Sequence, residues 1–253
     1  MKGKKTLFTI MYDWFPLFFI YIIYELIRGH AELVQKILGI SVQKTLLLRI
    51  ETLIFGNNIP TLVFQKAAGN IILDYFAIIV YTSIIWGALF LGIIIYLKDK
   101  EFFLRIKNAY LLLVFLGLAT YLIFPAYPPW MASDEGLLPK IITPWKHNGF
   151  GSSIYVATKL FGRNDVAPFP SLHAAYGLFF PIFFEKYYRK KIGNYTKLFY
   201  LYTLSMALVI IYTGDHYVVD IIAGFIYALA AIFISENFNI IKLNIKTRLI
   251  SSN

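Results

Sequence analysis

Apolar positions in this chain come in long runs more often than in one-sided stripes. Six stretches, roughly 7–27, 71–97, 109–126, 170–188, 196–214 and 217–235, are apolar nearly all round. Each approaches the ~20 residues a helix needs to cross a hydrocarbon layer of about 30 Å. Between the first two, residues 28–70 set Val34, Ile37 and Leu38 against Glu32, Lys36 and Lys44, the mixture of an amphipathic helix lying in a membrane interface. The pattern predicts an all-α, polytopic membrane protein: a six-transmembrane-helix bundle with an amphipathic interfacial segment between helices 1 and 2. The first run carries Asp13 and Pro16 with no clear small-x-small cleavage site, so it reads as a retained helix and not as a removable leader. No internal repeat or low-complexity tract divides the chain, and one integral membrane domain is expected over residues 1–253.

Composition narrows this further. With 58% hydrophobic and 15% charged residues, the chain is too apolar for a soluble domain. Cysteine is absent, which excludes disulfides, a thiolate nucleophile and cysteine-based metal sites. The formal charge of +10 sits in short basic clusters between the apolar runs. A nucleic-acid partner is therefore not expected, because it would call for one basic stripe interleaved with stacking aromatics. If the N-terminus is inside, the clusters Lys2 to Lys5, Lys98 to Lys107, Lys186 to Lys197 and Lys242 to Arg248 place 15 of the 24 Lys and Arg on the cytoplasmic side. The positive-inside rule then predicts a cytoplasmic N-terminus.

Two short polar segments interrupt the apolar runs: Pro168-Phe169-Pro170-Ser171-Leu172-His173 at the start of the fourth, and Gly214-Asp215-His216-Tyr217-Val218-Val219-Asp220 at the start of the sixth. In a six-span topology the fourth and sixth helices begin on the same, non-cytoplasmic side, so His173 and His216 can share a site. His216 and Asp220 are four apart and lie on one helical face. A carboxylate there orients the imidazole and supports the positive charge that appears when the other ring nitrogen attacks phosphorus. The same spacing also suits a polar pair that merely satisfies itself. Pro170 and Ser171 fit ordinary helix capping, or an anion contact at a helix start. Two helix N-termini converging near the histidines would offer amide donors to a phosphate.

These segments resemble the second and third motifs of the type 2 phosphatidic acid phosphatase superfamily, Pro-Ser-x-His and His-x-x-x-Asp. Leu172 in the first, His216-Tyr217-x-x-Asp220 with Ala223-Gly224 in the second, and Pro125-Ala126-Tyr127-Pro128-Pro129-Trp130 are most similar to the branch containing inositol phosphorylceramide synthases, akin to sphingomyelin synthases. The resemblance runs from about Tyr121 to Gly224 and implies a catalytic core of about 109–235, with N-terminal helices and the interfacial segment over about 1–108. It implies a metal-independent, cofactor-free lipid phosphotransferase acting from the non-cytoplasmic face. His216 would be the nucleophile that becomes a phosphohistidine, Asp220 its support, and His173 the proton donor to the departing oxygen. The partners implied are a phospholipid donor and a lipid alcohol or water.

The wider superfamily also carries Lys-x6-Arg-Pro and a Ser-Arg pair, and neither is intact: Asn164 follows Arg163, and Val209 and Ile210 stand where Ser-Arg would. Arg163, with Lys159 and Ser171, is the remaining candidate to bind the substrate phosphate. Asp215 reads as a cap or as a partner for an acceptor hydroxyl. Asp74 is an intramembrane carboxylate without an assigned role. His30 and His147 match no motif and are expected at surface or interfacial positions. Two other functions compete: a lipid phosphate phosphatase using water as acceptor, acting on phosphatidic acid or an isoprenyl diphosphate, and a non-enzymatic transporter or structural membrane protein on the same scaffold.

Overall fold

The structure is a computed structural model that describes residues 7–160 and 164–251, with side chains left out at Ile85 and at 239–251. In chain order the helices are α1 (Leu7–Gly29), α2 (Ala31–Ile37), α3 (Leu46–Phe55), α4 (Pro60–Phe64), α5 (Ile71–Lys98), α6 (Lys100–Ile123), α7 (Pro129–Asp134), α8 (Pro144–His147), α9 (Gly149–Leu160), α10 (Leu172–Ile192), α11 (Thr196–Tyr212) and α12 (Val218–Ser251). No strand is present among the described residues; a single isolated bridge joins Gln43 and Ala126.

The third apolar run begins its helix earlier than expected, at Lys100 instead of about 109. Asp99 explains the difference, because its side chain accepts the Phe102 N–H at 3.0 Å and caps a charged first turn that no apolar pattern reveals. The hydrogen bond to that amide holds the Asp99 carboxyl below its ordinary value, and Tyr188 Oη adds a second bond at 2.8 Å.

The core lies between α6, α10 and α12, where Leu113, Phe179, Phe183, Ala228 and Ala231 are all but inaccessible. α1 packs on α6 through Trp14 and Phe103, whose ring centroids are 4.7 Å apart. α10 and α11 form an antiparallel hairpin: Phe184 stacks on Phe199 at 4.6 Å, and further along Thr203 Oγ1 donates to the Gly177 carbonyl at 2.6 Å. The outside of the bundle is apolar, with Phe15, Ile72, Phe90, Phe115 and Phe233 exposed, an arrangement suited to lipid as the surrounding solvent.

Four helical stretches among the described residues are long and apolar enough to cross a membrane: Leu7–Gly29, Lys100–Ile123, Leu172–Tyr212 and Val218–Phe238. The pair Ile71–Ile84 and Trp86–Lys98, bent by 43°, makes a fifth if taken as one. The stretch Leu172–Tyr212 contains the α10/α11 hairpin.

Residues 28–70 fold as short helices that expose charged side chains (Glu32, Lys36, Arg49) and apolar ones together. Gln35, Glu51 and Thr61 point inward, whereas Leu33, Ile37, Leu38, Leu53 and Ile54 are exposed. Gln35 and Glu51 find protein partners, Gln35 Nε2 donating to the Tyr121 carbonyl at 2.8 Å, whereas the buried Thr61 hydroxyl has none among the described residues.

Candidate active site

The two motif segments meet through their backbones. Ser171 is the N-cap of α10, and its Oγ accepts the Ala174 N–H at 3.3 Å. Its own N–H donates to the Asp220 carbonyl at 3.0 Å. Gly224, one turn further along α12, sits against the same residue: a Cβ there would be driven into the Ser171 carbonyl oxygen and come within 3.3 Å of the Ala175 nitrogen. Only a glycine admits this approach. Tyr121 Oη donates to the Pro170 carbonyl at 2.9 Å and ties α6 to the same loop.

The segment Pro125 to Trp130 joins both approaches. Ala126 N–H donates to the Val166 carbonyl at 2.9 Å, ahead of the α10 motif, and Trp130 N–H donates to the Gly214 carbonyl at 3.1 Å, ahead of the α12 motif. Gly214 turns the chain between α11 and α12 at φ +75°, a left-handed conformation that favours glycine.

This frame brings the rings of His173 and His216 to a centroid separation of 6.0 Å, tilted by 57°. His216 is 5% exposed and Asp220 is fully buried, whereas His173 is partly exposed. His216 Nδ1 lies 3.6 Å from Asp220 Oδ2, close enough for an ion pair but longer than a hydrogen bond. Asp220 Oδ2 meanwhile accepts the Tyr217 N–H at 2.8 Å, so one carboxylate both caps α12 and faces the imidazole. His173, His216, Asp220 and Ser171 are thus together at one end of the bundle. The basic side chain of Lys186 pairs with Glu236 toward the opposite end of α10 and α12.

The phosphate contacts expected from the sequence fare differently. Ser171 is inaccessible and its hydroxyl is committed to the cap. Lys159, at the end of α9, pairs with Asp165, and its ammonium lies 5.7 Å from the Tyr155 ring centroid. Arg163 lies outside the described residues. The expectation that the α12 start offers free amides to phosphate is corrected. The N–H groups of Val218 and Val219 donate to Glu51 Oε1 and Oε2 at 2.9 and 3.2 Å, and that of Tyr217 donates to Asp220. Protein carboxylates fill the place an anion would take.

Several neighbours of the site carry no motif. Tyr81 of α5 packs on His173 with ring centroids 4.0 Å apart, and Trp145 meets Tyr81 edge-on at 4.9 Å. Trp145 Nε1 and Thr213 Oγ1 each donate to Asp215 Oδ2 at 2.7 Å, so the residue beside His216 is anchored to α8. Asp74, 2% exposed, accepts from Tyr212 Oη at 2.7 Å and lies 2.7 Å from His147 Nε2, while His147 Nδ1 sits 2.8 Å from the Thr143 carbonyl. His147 is exposed, as expected, and in addition links α8 to α5 through Asp74.

A helical bundle of membrane-spanning character, with two histidines and a carboxylate gathered at one end, defines the class. The chain belongs to the PAP2 superfamily, whose profile matches residues 45–234. It is 30% identical over 168 residues to phosphoinositol dihydroceramide synthase of Bacteroides thetaiotaomicron, covering 62% of this chain and 53% of that protein. It is 25% identical over 206 residues to inositol phosphorylceramide synthase catalytic subunit aur1 of Schizosaccharomyces pombe, covering 77% of this chain and 47% of the relative. The chain thus spans about half the length of the curated relatives it matches. No solved structure matches it.

Proposed function

We propose that this protein is a membrane-embedded lipid phosphotransferase that moves a phosphate-bearing headgroup from a phospholipid donor to an alcohol-bearing lipid through a phosphohistidine on His216. The observation that carries the reading is the pairing of His173 with His216 at 6.0 Å, with Asp220 behind the second ring. That gap suits a phosphoryl group gripped between two imidazoles.

In the first half-reaction, His216 Nε2 attacks phosphorus, the bond from phosphorus to the donor's leaving oxygen breaks, and His173 delivers its proton to that oxygen. Asp220 supports the charge on His216, and its 3.6 Å separation shortens as that charge develops. In the second, the acceptor hydroxyl gives its proton to His173 while its oxygen attacks phosphorus, and the P–N bond to His216 breaks. Splitting the displacement in this way lets one site run both halves. Arg163 and Lys159 are the proposed cationic contacts to the substrate phosphate, and no metal or cofactor is assigned a step.

Burial of His216 supports transfer over hydrolysis, since it limits the access of water to the nucleophile. Both relatives are named for products joining phosphoinositol to a ceramide, which makes an inositol-phosphate headgroup and a sphingoid alcohol the first pair to test. In this reading the α10/α11 hairpin crosses twice and the bent α5 once, giving six crossings. The N-terminus is cytoplasmic, residues 28–70 lie at the interface, and the histidines open to the non-cytoplasmic face.

The test incubates purified protein with phospholipid labelled in its headgroup phosphate, with and without a ceramide acceptor. Labelled sphingolipid that forms only with acceptor, and is lost in His216→Ala, is expected. Water-soluble labelled phosphate as the sole product would make the protein a hydrolase. Turnover unaltered in both His216→Ala and His173→Ala would remove the two-histidine mechanism, and no labelled product from wild type under any condition would favour a non-enzymatic role.

A further inference from the structure

Glu51 is wholly buried in the middle of α3, far in sequence from either motif, yet it reaches the first turn of α12. Its two oxygens divide the Val218 and Val219 amides between them at 2.9 and 3.2 Å. Leu47, one turn earlier on the same face of α3, packs with Tyr217 and Ala126, so the helix is held against this spot by apolar contact as well.

The arrangement has a mechanical consequence. Asp220 holds the Tyr217 amide and Glu51 holds the next two, so three successive N–H groups at the start of α12 depend on two carboxylates. Amides at a helix start have no partner within the helix, and leaving them buried without one is costly. A negative charge there is also favoured by the helix dipole. Without Glu51 the first turn of α12 would have to shift to find other acceptors, and that turn carries Asp220. Asp220 Oδ2 already stands at 3.6 Å from His216 Nδ1, where a further displacement would uncouple the pair. By filling the amides, Glu51 also keeps a substrate phosphate from docking on α12 and leaves it to the histidines.

We infer that Glu51 is a positioning residue for phosphoryl transfer, holding the first turn of α12 so that Asp220 faces His216 and the α12 amides stay closed to phosphate. The inference rests on the phosphotransferase reading above.

The test compares wild type, Glu51→Gln, Glu51→Ala and His216→Ala in the labelled-lipid assay, each well below its melting temperature in detergent. Misplacement of a reacting group by about 1 Å costs on the order of 10²-fold in rate, so Glu51→Ala is expected to lower kcat by about 10- to 100-fold with KM for the donor lipid little changed. Glu51→Gln, which retains one acceptor oxygen, is expected to recover part of that loss. A kcat equal to wild type in a folded Glu51→Ala protein would overturn the inference, as would a loss confined to KM. If Glu51→Ala does not fold, Glu51→Gln decides: a several-fold fall in kcat at unchanged KM upholds it, and an unchanged kcat overturns it. Wild-type turnover that survives in His216→Ala would instead defeat the phosphohistidine route on which the inference rests, whatever the Glu51 variants do.

Discussion

The backbone N–H of Ser171 donates to the carbonyl oxygen of Asp220 at 3.0 Å, so the two motifs that carry the histidines are joined main chain to main chain. The backbone positions from which the His173 and His216 rings project are therefore tied together at two helix starts.

Replacing Gly224 by alanine should separate α10 from α12, since the added methyl would meet the Ser171 carbonyl. Overpacking of this kind costs about 1–3 kcal/mol. A lower melting temperature in detergent is expected, together with a loss of transfer larger than the loss of folded protein. Wild-type turnover in Gly224→Ala would show that the backbone contact does not set the histidine spacing.

Asp220 serves both the helix and the imidazole, and two substitutions separate the roles. Asn in its place keeps an oxygen for the Tyr217 N–H but loses the charge facing His216. Asp220→Asn should melt near wild type while turnover falls by about 10²-fold or more. Asp220→Ala should lose the cap as well, lowering stability by about 1 kcal/mol. Calorimetry beside the labelled-lipid assay distinguishes the two, and equal activity of Asp220→Asn and wild type would assign Asp220 to capping alone.

Trp145→Phe keeps a ring beside Tyr81 and deletes the indole N–H that donates to Asp215. A hydrogen bond to a buried charged group contributes about 1.5–3 kcal/mol, so a drop of that order in unfolding free energy is expected, with lower turnover because Asp215 adjoins His216. Denaturation with a reversible titrant measures the first; an unchanged midpoint would mean that Thr213 suffices to hold Asp215.

Glu51 gives the protein a pH dependence with a definite sign. Burial raises its carboxyl above the ordinary 4.5, against the lowering effect of the Val218 and Val219 amides. The folded protein therefore keeps this proton to higher pH than the unfolded chain does. The associated stabilisation is complete below about pH 4.5 and is lost as pH rises through the folded value. The melting temperature of wild type relative to Glu51→Gln should accordingly decline as pH rises from 4.5. A difference that grows with pH would show that the amide bonds outweigh burial.

What the chain declares on its own is local. The apolar run expected at 71–97 is the helix Ile71–Lys98, and the run expected at 196–214 is Thr196–Tyr212. Transfer of apolar side chains out of water and the repeat of a helix act residue by residue along the chain, so both can be read without coordinates. That His216 and Asp220 share one helical face follows from the same repeat, whereas singling out His173, His216 and Asp220 as a site rests on the resemblance of their two segments to the superfamily motifs. Tertiary structure alone decided that Glu51 closes the amides of α12, that Tyr81 covers His173, and that Trp145 holds Asp215. Those partners lie dozens to more than a hundred residues apart, and nothing in the periodicity of α3, α5 or α8 names the group opposite. A buried polar side chain takes its role from whichever unsatisfied donor or ring the packing of other helices brings to it.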